Sequence, residues 1–230
     1  MKRAIRATLL TAWALMSLSA AFSQEYTLKL NVKEGDVFKY KMTMDIDFGG
    51  QNVTVTMPIT NKVLKIEESG NIVMESAAGE MLIKFGDQEM PQPAPPASKI
   101  TYKPNGAIEK AESAQGGLPA NNFNAAFPDK PVKVGDKWSH TIKGQNGAPD
   151  IVNTLELVGV EKLGEAEVLK IKVTLRTADT KESEGFSGDG FNWIDPKTGM
   201  LVKSEISVKG MVAEGAPMPL NGIIKMERIP

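Results

Sequence analysis

The chain has 230 residues, 27 basic and 28 acidic side chains for a net charge of −1, 41% hydrophobic residues and no cysteine. Nothing in this balance forms a basic stripe, so nucleic acid is not an expected partner. Without cysteine there is neither a disulfide nor a thiol nucleophile, and the single histidine, His140, rules out a His-Glu-x-x-His zinc site.

Taken from the N-terminus, MKRAIRATLLTAWALMSLSAAFSQ has the form of a secretory signal peptide. Lys2, Arg3 and Arg6 are basic, an apolar stretch runs from Leu9 to Leu18, and Ala21-Phe22-Ser23 is a small-x-small cleavage site. Read more widely, from Ala7 to Phe22, the segment has 16 residues, carries Thr11, Ser17 and Ser19, and falls short of the ~20 apolar residues of a membrane span. Residues 1–23 are expected to be removed. That leaves 24–230 as one β domain, secreted to the periplasm or beyond and no longer membrane-spanning.

The mature part alternates apolar and polar residues with a period of two, the mark of strands with one wet face. Tyr26-Leu28-Leu30-Val32 alternates first, and Phe38–Phe48 follows without a fault. Further strands are expected at Val53–Met57, Val63–Ile66, Ile72–Glu75, Met81–Phe85 and Lys99–Lys103. Between the last two, Gln88–Pro96 holds four prolines and reads as an extended solvated loop. Ala107–Phe127, rich in Ala and Asn, is expected to carry one or two helical turns around Pro119–Ala126. Strands resume at Trp138–Ile142, Ile151–Val160, Leu169–Leu175, Phe191–Ile194, Leu201–Val212 and Ile223–Ile229. Glycine, proline and asparagine turns separate them. This clean alternation implies antiparallel pairing. The fold class is all-β, or mostly β with one or two short helices: a large curved antiparallel sheet or incomplete barrel, with a β-sandwich as the alternative.

A second pattern divides the domain. VKEGDVF (Val32–Phe38) and VKVGDKW (Val132–Trp138) recur 100 residues apart. Each is followed by a strand, a strand pair and a proline-glycine hairpin, ITYKPNGAI in the first case and FNWIDPKTGMLV in the second. Two related halves, about 26–115 and 131–230, are expected. In each motif the glycine (Gly35, Gly135) takes a positive φ. The carboxylate (Asp36, Asp136) accepts a hydrogen bond from backbone two residues on, and the aromatic starts the inward face of the next strand. Pro196 and Gly199 set the second hairpin in the same way.

PVKVGDKW and WIDPKTGMLVKSEI resemble motifs of secreted bacterial proteins of uncharacterised function. The Asp-Pro-x-Thr-Gly-x-Leu hairpin is also similar to one in the LolA-type superfamily of periplasmic lipoprotein carriers. That likeness implies a strongly curved, incomplete antiparallel barrel with an apolar concave face and a few covering helices.

Catalytic signatures are scarce. Gly185-Phe186-Ser187-Gly188-Asp189 lacks the last glycine of a nucleophile elbow. His140 reads as a core-edge imidazole. The acidic loop with Asp179, Glu182, Glu184, Asp189 and Asp195 could hold calcium, with Asp189 and Asp195 as the metal candidates; the default is a solvated loop. No cofactor is expected. Tyr40, Met42 and Met44, with Trp138 and Trp193 flanking a mouth, are the candidates for lining a ligand site, since Met adapts to varied ligands. The expectation is an exported envelope protein without enzymatic activity that binds a hydrophobic ligand, lipid or peptide in its curved sheet. An envelope assembly component working through contacts with another envelope protein is the alternative; a hydrolase and an outer-membrane barrel rank below it.

Overall fold

The computed structural model describes residues 24–112, 126–144, 149–178, 185–211 and 219–230, and among them every regular element is a β-strand. In chain order these are β1 (Val37–Phe48), β2 (Gln51–Ile66), β3 (Ile72–Ala78), β4 (Met81–Phe85), β5 (Gln88–Gln92), β6 (Ser98–Tyr102), β7 (Ile108–Glu112), β8 (Lys137–Ile142), β9 (Ile151–Leu163), β10 (Ala166–Thr177), β11 (Ser187–Ile194), β12 (Leu201–Met211) and β13 (Leu220–Ile229). They join in one antiparallel sheet ordered β7-β6-β3-β2-β1-β13-β12-β11-β10-β9-β8, with the β4–β5 hairpin hung on the far end of β2. The sheet does not close into a barrel. A single continuous ladder also disposes of the sandwich. Of the expected helical turns, only Ala126 is described, in irregular backbone; the signal segment and Asp179, Glu182 and Glu184 lie outside the described residues. No helix among those residues is long and apolar enough to cross a membrane.

The alternation in β1 translates directly into packing. Tyr40 and Met42 are buried while Lys39 and Lys41 are exposed. Ladder partners keep like with like: Tyr40 faces Ile59, Met42 faces Met57 and Met226, and Met44 faces Val55 and Ile224. One core runs along this inner face from β2 to β9, with Leu155, Leu157, Leu169, Ile171 and Val173 wholly enclosed. A second core joins Val63, Ile72, Met74, Ile100 and Tyr102 of the first half to Met200.

Two expected strands, Val53–Met57 and Val63–Ile66, are one strand of 16 residues with Pro58 in its middle. The proline is tolerated because of where its missing donor would point. Its carbonyl accepts from Gly79 N (2.8 Å) on the side where β3 ends and β4 begins. The absent N–H faces that same gap, so no ladder bond is lost. Gln88–Gln92, expected to be loop, is an exposed edge strand carrying Pro91, and β7 is an edge strand bearing Glu109, Lys110 and Glu112. Proline and charge on free edges are how sheets resist pairing with other chains.

Tyr26–Val32 corrects the sequence reading. Its side chains alternate as expected, with Leu28 and Val32 buried, but it joins the sheet at no strand. A single antiparallel bridge links Tyr26 to Val132. Otherwise its amides go to hairpins: Leu30 N to Pro104 O (2.8 Å) and Asn31 N to Thr198 O (2.9 Å). Residues 24–33 and 126–134 therefore lie as two leader segments whose Leu28, Val32, Phe127 and Val132 pack into the cores of the inner face. Apolar alternation reports a buried side and a wet side, and says nothing of whether the backbone has ladder neighbours.

Candidate functional site

The repeated motif folds the same way twice. In the first copy Lys33 N donates to Asp36 Oδ2 (2.8 Å), Asp36 N to Lys33 O (3.1 Å), Gly35 N to Val63 O (2.9 Å) and Val63 N to Asp36 O (2.9 Å). In the second, Lys133 N donates to Asp136 Oδ2 (2.8 Å), Asp136 N to Lys133 O (3.0 Å), Gly135 N to Leu157 O (2.7 Å) and Leu157 N to Asp136 O (3.1 Å). Gly35 and Gly135 have φ of 87° and 99°, as the turn requires. The carboxylates reach back three residues rather than forward two. Each thereby closes its own turn and has an oxygen committed to backbone.

The hairpins correspond as well. Asn105 Oδ1 accepts from Ala107 N (3.2 Å), and Thr198 Oγ1 accepts from Met200 N (3.2 Å). Asn105 O takes Phe127 N (2.7 Å) from the second leader, and Thr198 O takes Asn31 N from the first. Each half's hairpin thus holds the other half's leader. Pro196 and Gly199 sit in the second hairpin, closed by Gly199 N to Asp195 O (2.8 Å) and Asp195 N to Met200 O (3.0 Å).

The five lining candidates are not brought together. Tyr40, Met42 and Met44 face inward on β1, and Trp138 packs against the same core from the rim strand β8. Trp193 points the other way. It pairs across the ladder with Lys170 and Lys203, and both ammonium groups lie over its ring at 5.3 and 4.8 Å. Its Nε1 donates to Glu161 Oε2 (2.8 Å), and Lys170 bonds the other oxygen of that carboxylate (2.8 Å). These two bonds, from Lys170 first and Trp193 second, hold the Glu161 carboxyl below its usual range. The polar handles of the inward aromatics are taken by main chain: Tyr40 Oη donates to Leu201 O (3.1 Å) and Trp138 Nε1 to Ala126 O (2.9 Å). Burial pushes the Tyr40 phenol up to about 12, so it stays a donor at any physiological pH.

Between the hairpins and the first leader lies a cavity of about 20 Å3, lined by Leu30, Asn61, Met74, Tyr102, Phe127 and Met200 among others. That is room for roughly one water molecule, against several hundred Å3 for an ordinary ligand pocket.

The acids are engaged separately. Asp189 pairs with Arg176 (2.9 Å) on the outer face. Asp195 accepts from Lys197 N and Thr198 Oγ1 (both 2.9 Å) inside the hairpin, with Arg228 at 3.7 Å. They stand at opposite ends of β11, roughly 20 Å apart along the strand. Among the described residues no three Asp, Glu or His side chains gather as a metal site would need.

The buried polar residues were the signal the sequence reading passed over. Asn153 has the same parity as Leu155 and Leu157, so it faces inward. It is wholly enclosed, and neither its Oδ1 nor its Nδ2 has a partner. His140 is its ladder partner and has a buried, unpartnered Nδ1. Burial alone lowers the imidazole pKa. With the folded value below the unfolded one of about 6.5, the unfolded chain takes the proton first as pH falls. The stability linked to His140 is present above that value and is lost as pH drops through the folded pKa. The melting temperature of the wild type should therefore fall between pH 7 and pH 5, and the His140→Leu chain should show a flatter profile there. The lowered carboxyls of Glu161 and Asp150 act in a separate window, below about pH 4.5. Equal slopes in the two chains between pH 7 and 5 would refute the linkage.

No family model matches the chain, and no curated protein matches it. Among solved structures it is similar to the crystal structure of a DUF1329 family protein from Desulfovibrio piger, with 12% sequence identity, 84% of each chain covered and a TM-score of 0.24, a likeness too shallow to carry an argument about function.

Proposed function

We propose that this chain is a non-enzymatic exported protein of the cell envelope that works through contacts with another protein, and that its interior does not house a lipid or other large apolar guest. The observation that carries the reading is the packing of the inner face. Residues of both leader segments pack into the core of that face, and the cavity beside the first leader holds about 20 Å3, where a lipid carrier needs a few hundred. The Tyr40 and Trp138 donors are spent on backbone, which leaves neither ring a free donor to orient a guest.

Binding of an apolar ligand is the second reading, and one place favours it. On the β4–β5 hairpin, Met81, Ile83 and Phe85 are half-buried and Met90 is 42% exposed, and none of them belongs to either core. The two readings separate in one experiment. Protein purified from its native host is extracted with organic solvent and analysed by mass spectrometry, and tagged protein is used for capture at physiological salt. A clean extract with a specific protein partner is the expected result. A stoichiometric acyl chain would sink the first reading and establish the second.

A further inference from the structure

The inner face is not uniform in composition. Over β9 and β10 it is built from Leu155, Leu157, Leu169, Ile171, Val173 and Leu175. Over β13, β1 and β2 four methionines share it with Tyr40, Val55, Ile59 and Ile224. Met226, Met42 and Met57 are direct ladder partners in one transverse row, with Met42 in the middle. Met44 follows two residues on, on the same face of β1. Met42 and Met226 are 5% exposed; Met44 and Met57 are half-buried. Neighbouring strands lie ~4.8 Å apart, and a Met side chain has three rotatable bonds. The thioethers of Met226 and Met57 can therefore swing over Met42 from either side.

We propose that Met42, Met57 and Met226, with Met44 beside them, form a binding site for a soft monovalent cation of the Cu(I) type. Thioether sulfur is neutral and polarizable, and it selects Cu(I) over the hard and borderline divalent ions that prefer carboxylate or imidazole. The chain has no cysteine and so no thiolate to compete for such an ion. His140 is on β8, six strands away across the sheet. The inward guanidinium nearest the row, Arg228, is paired with Asp195 (3.7 Å) and lies over the Phe38 ring, so its charge is partly compensated. Entry runs from the β4–β5 side. Leu82 pairs with Thr56, which sets half-buried Met81 next to Met57, and exposed Met90 lies one strand further out.

The test uses the whole folded protein labelled at the methionine methyl carbons. It is titrated anaerobically with Cu(I), and separately with Ag(I), which needs no reductant. At one equivalent the methyl resonances of Met42, Met57 and Met226 should move, while those of Met74 and Met200, in the second core, stay in place. Met42→Leu and Met57→Leu conserve volume and keep the fold; each should weaken Cu(I) binding by about tenfold or more, and Met200→Leu should leave it unchanged. The proposal is overturned by the absence of any shift at one equivalent, by shifts confined to Met90 or spread over all methionines, or by wild-type affinity in Met42→Leu.

Discussion

Gly199→Ala is expected to cost about 3 kcal/mol or more of folding stability, one of the two largest effects expected of a single substitution in this chain. Two independent penalties meet at this residue. Its φ is +70°, and a left-handed conformation costs a residue with a Cβ roughly 1–2 kcal/mol. The new Cβ would also overlap the carbonyl oxygen of Lys29 and stand 2.8 Å from its carbon and 3.2 Å from Leu30 N. The leader cannot retreat without cost, because Leu30 N, Asn31 N and Asn31 Nδ2 are all bonded to the two hairpins. Overpacking of this kind adds a further ~1–3 kcal/mol. Gly49→Ala is the control: its φ is +63° but nothing lies within 4 Å of the added carbon, so only the conformational penalty of roughly 1–2 kcal/mol applies. Urea unfolding midpoints decide the matter. Equal losses in the two variants would mean that the leader does not sit against the second hairpin.

Asn153→Leu should move the midpoint the other way. An enclosed amide with neither oxygen nor nitrogen bonded loses its hydration and regains nothing, at a cost of ~1–3 kcal/mol. Leucine is close to asparagine in reach and has Leu155 and Leu175 as neighbours on the same face. A stabilisation of about 1–3 kcal/mol is expected, read as a higher urea midpoint at unchanged slope. Asn153→Asp at pH 7 should destabilise by about 3 kcal/mol or more, because an unpaired carboxylate replaces the amide. A loss of stability in Asn153→Leu would show that the amide holds a polar partner in solution and that this part of the inner face is a site.

How much of this was legible in the residues depended on range. The period of two in Phe38–Phe48 gave β1 and its inward set of Tyr40, Met42 and Met44, because side-chain direction in a strand is a local property. The Gly-Asp turns were legible for the same reason, down to the positive φ. Pairing is not local. Nothing in Tyr26–Val32 distinguishes a strand from a leader laid over one, since both bury alternate side chains. Trp193 was misplaced by proximity: its one-residue offset from Asn192 and Ile194, both buried inward, puts it on the outer face. Pro58 invited a break in β2, and only the neighbours on its far side reveal why none occurs. The methionine row is invisible along the chain, because Met42, Met57 and Met226 meet only through strand register.

The place of β13 bears on how such a molecule is assembled. Among the described residues the strands β1–β7 join the strands β8–β13 in the ladder only at this strand, which pairs with β1 on one side and β12 on the other. Lys39 finds Ile229 as its partner across almost the whole chain. A polypeptide emerging N-terminus first can zip each meander as it appears, but the seam waits until β13 has followed β12 out. Closing so long a loop is slow. Until it happens the flanks of β1 and β12 stay unpaired, and that interval is when a chaperone or a stray strand can capture them.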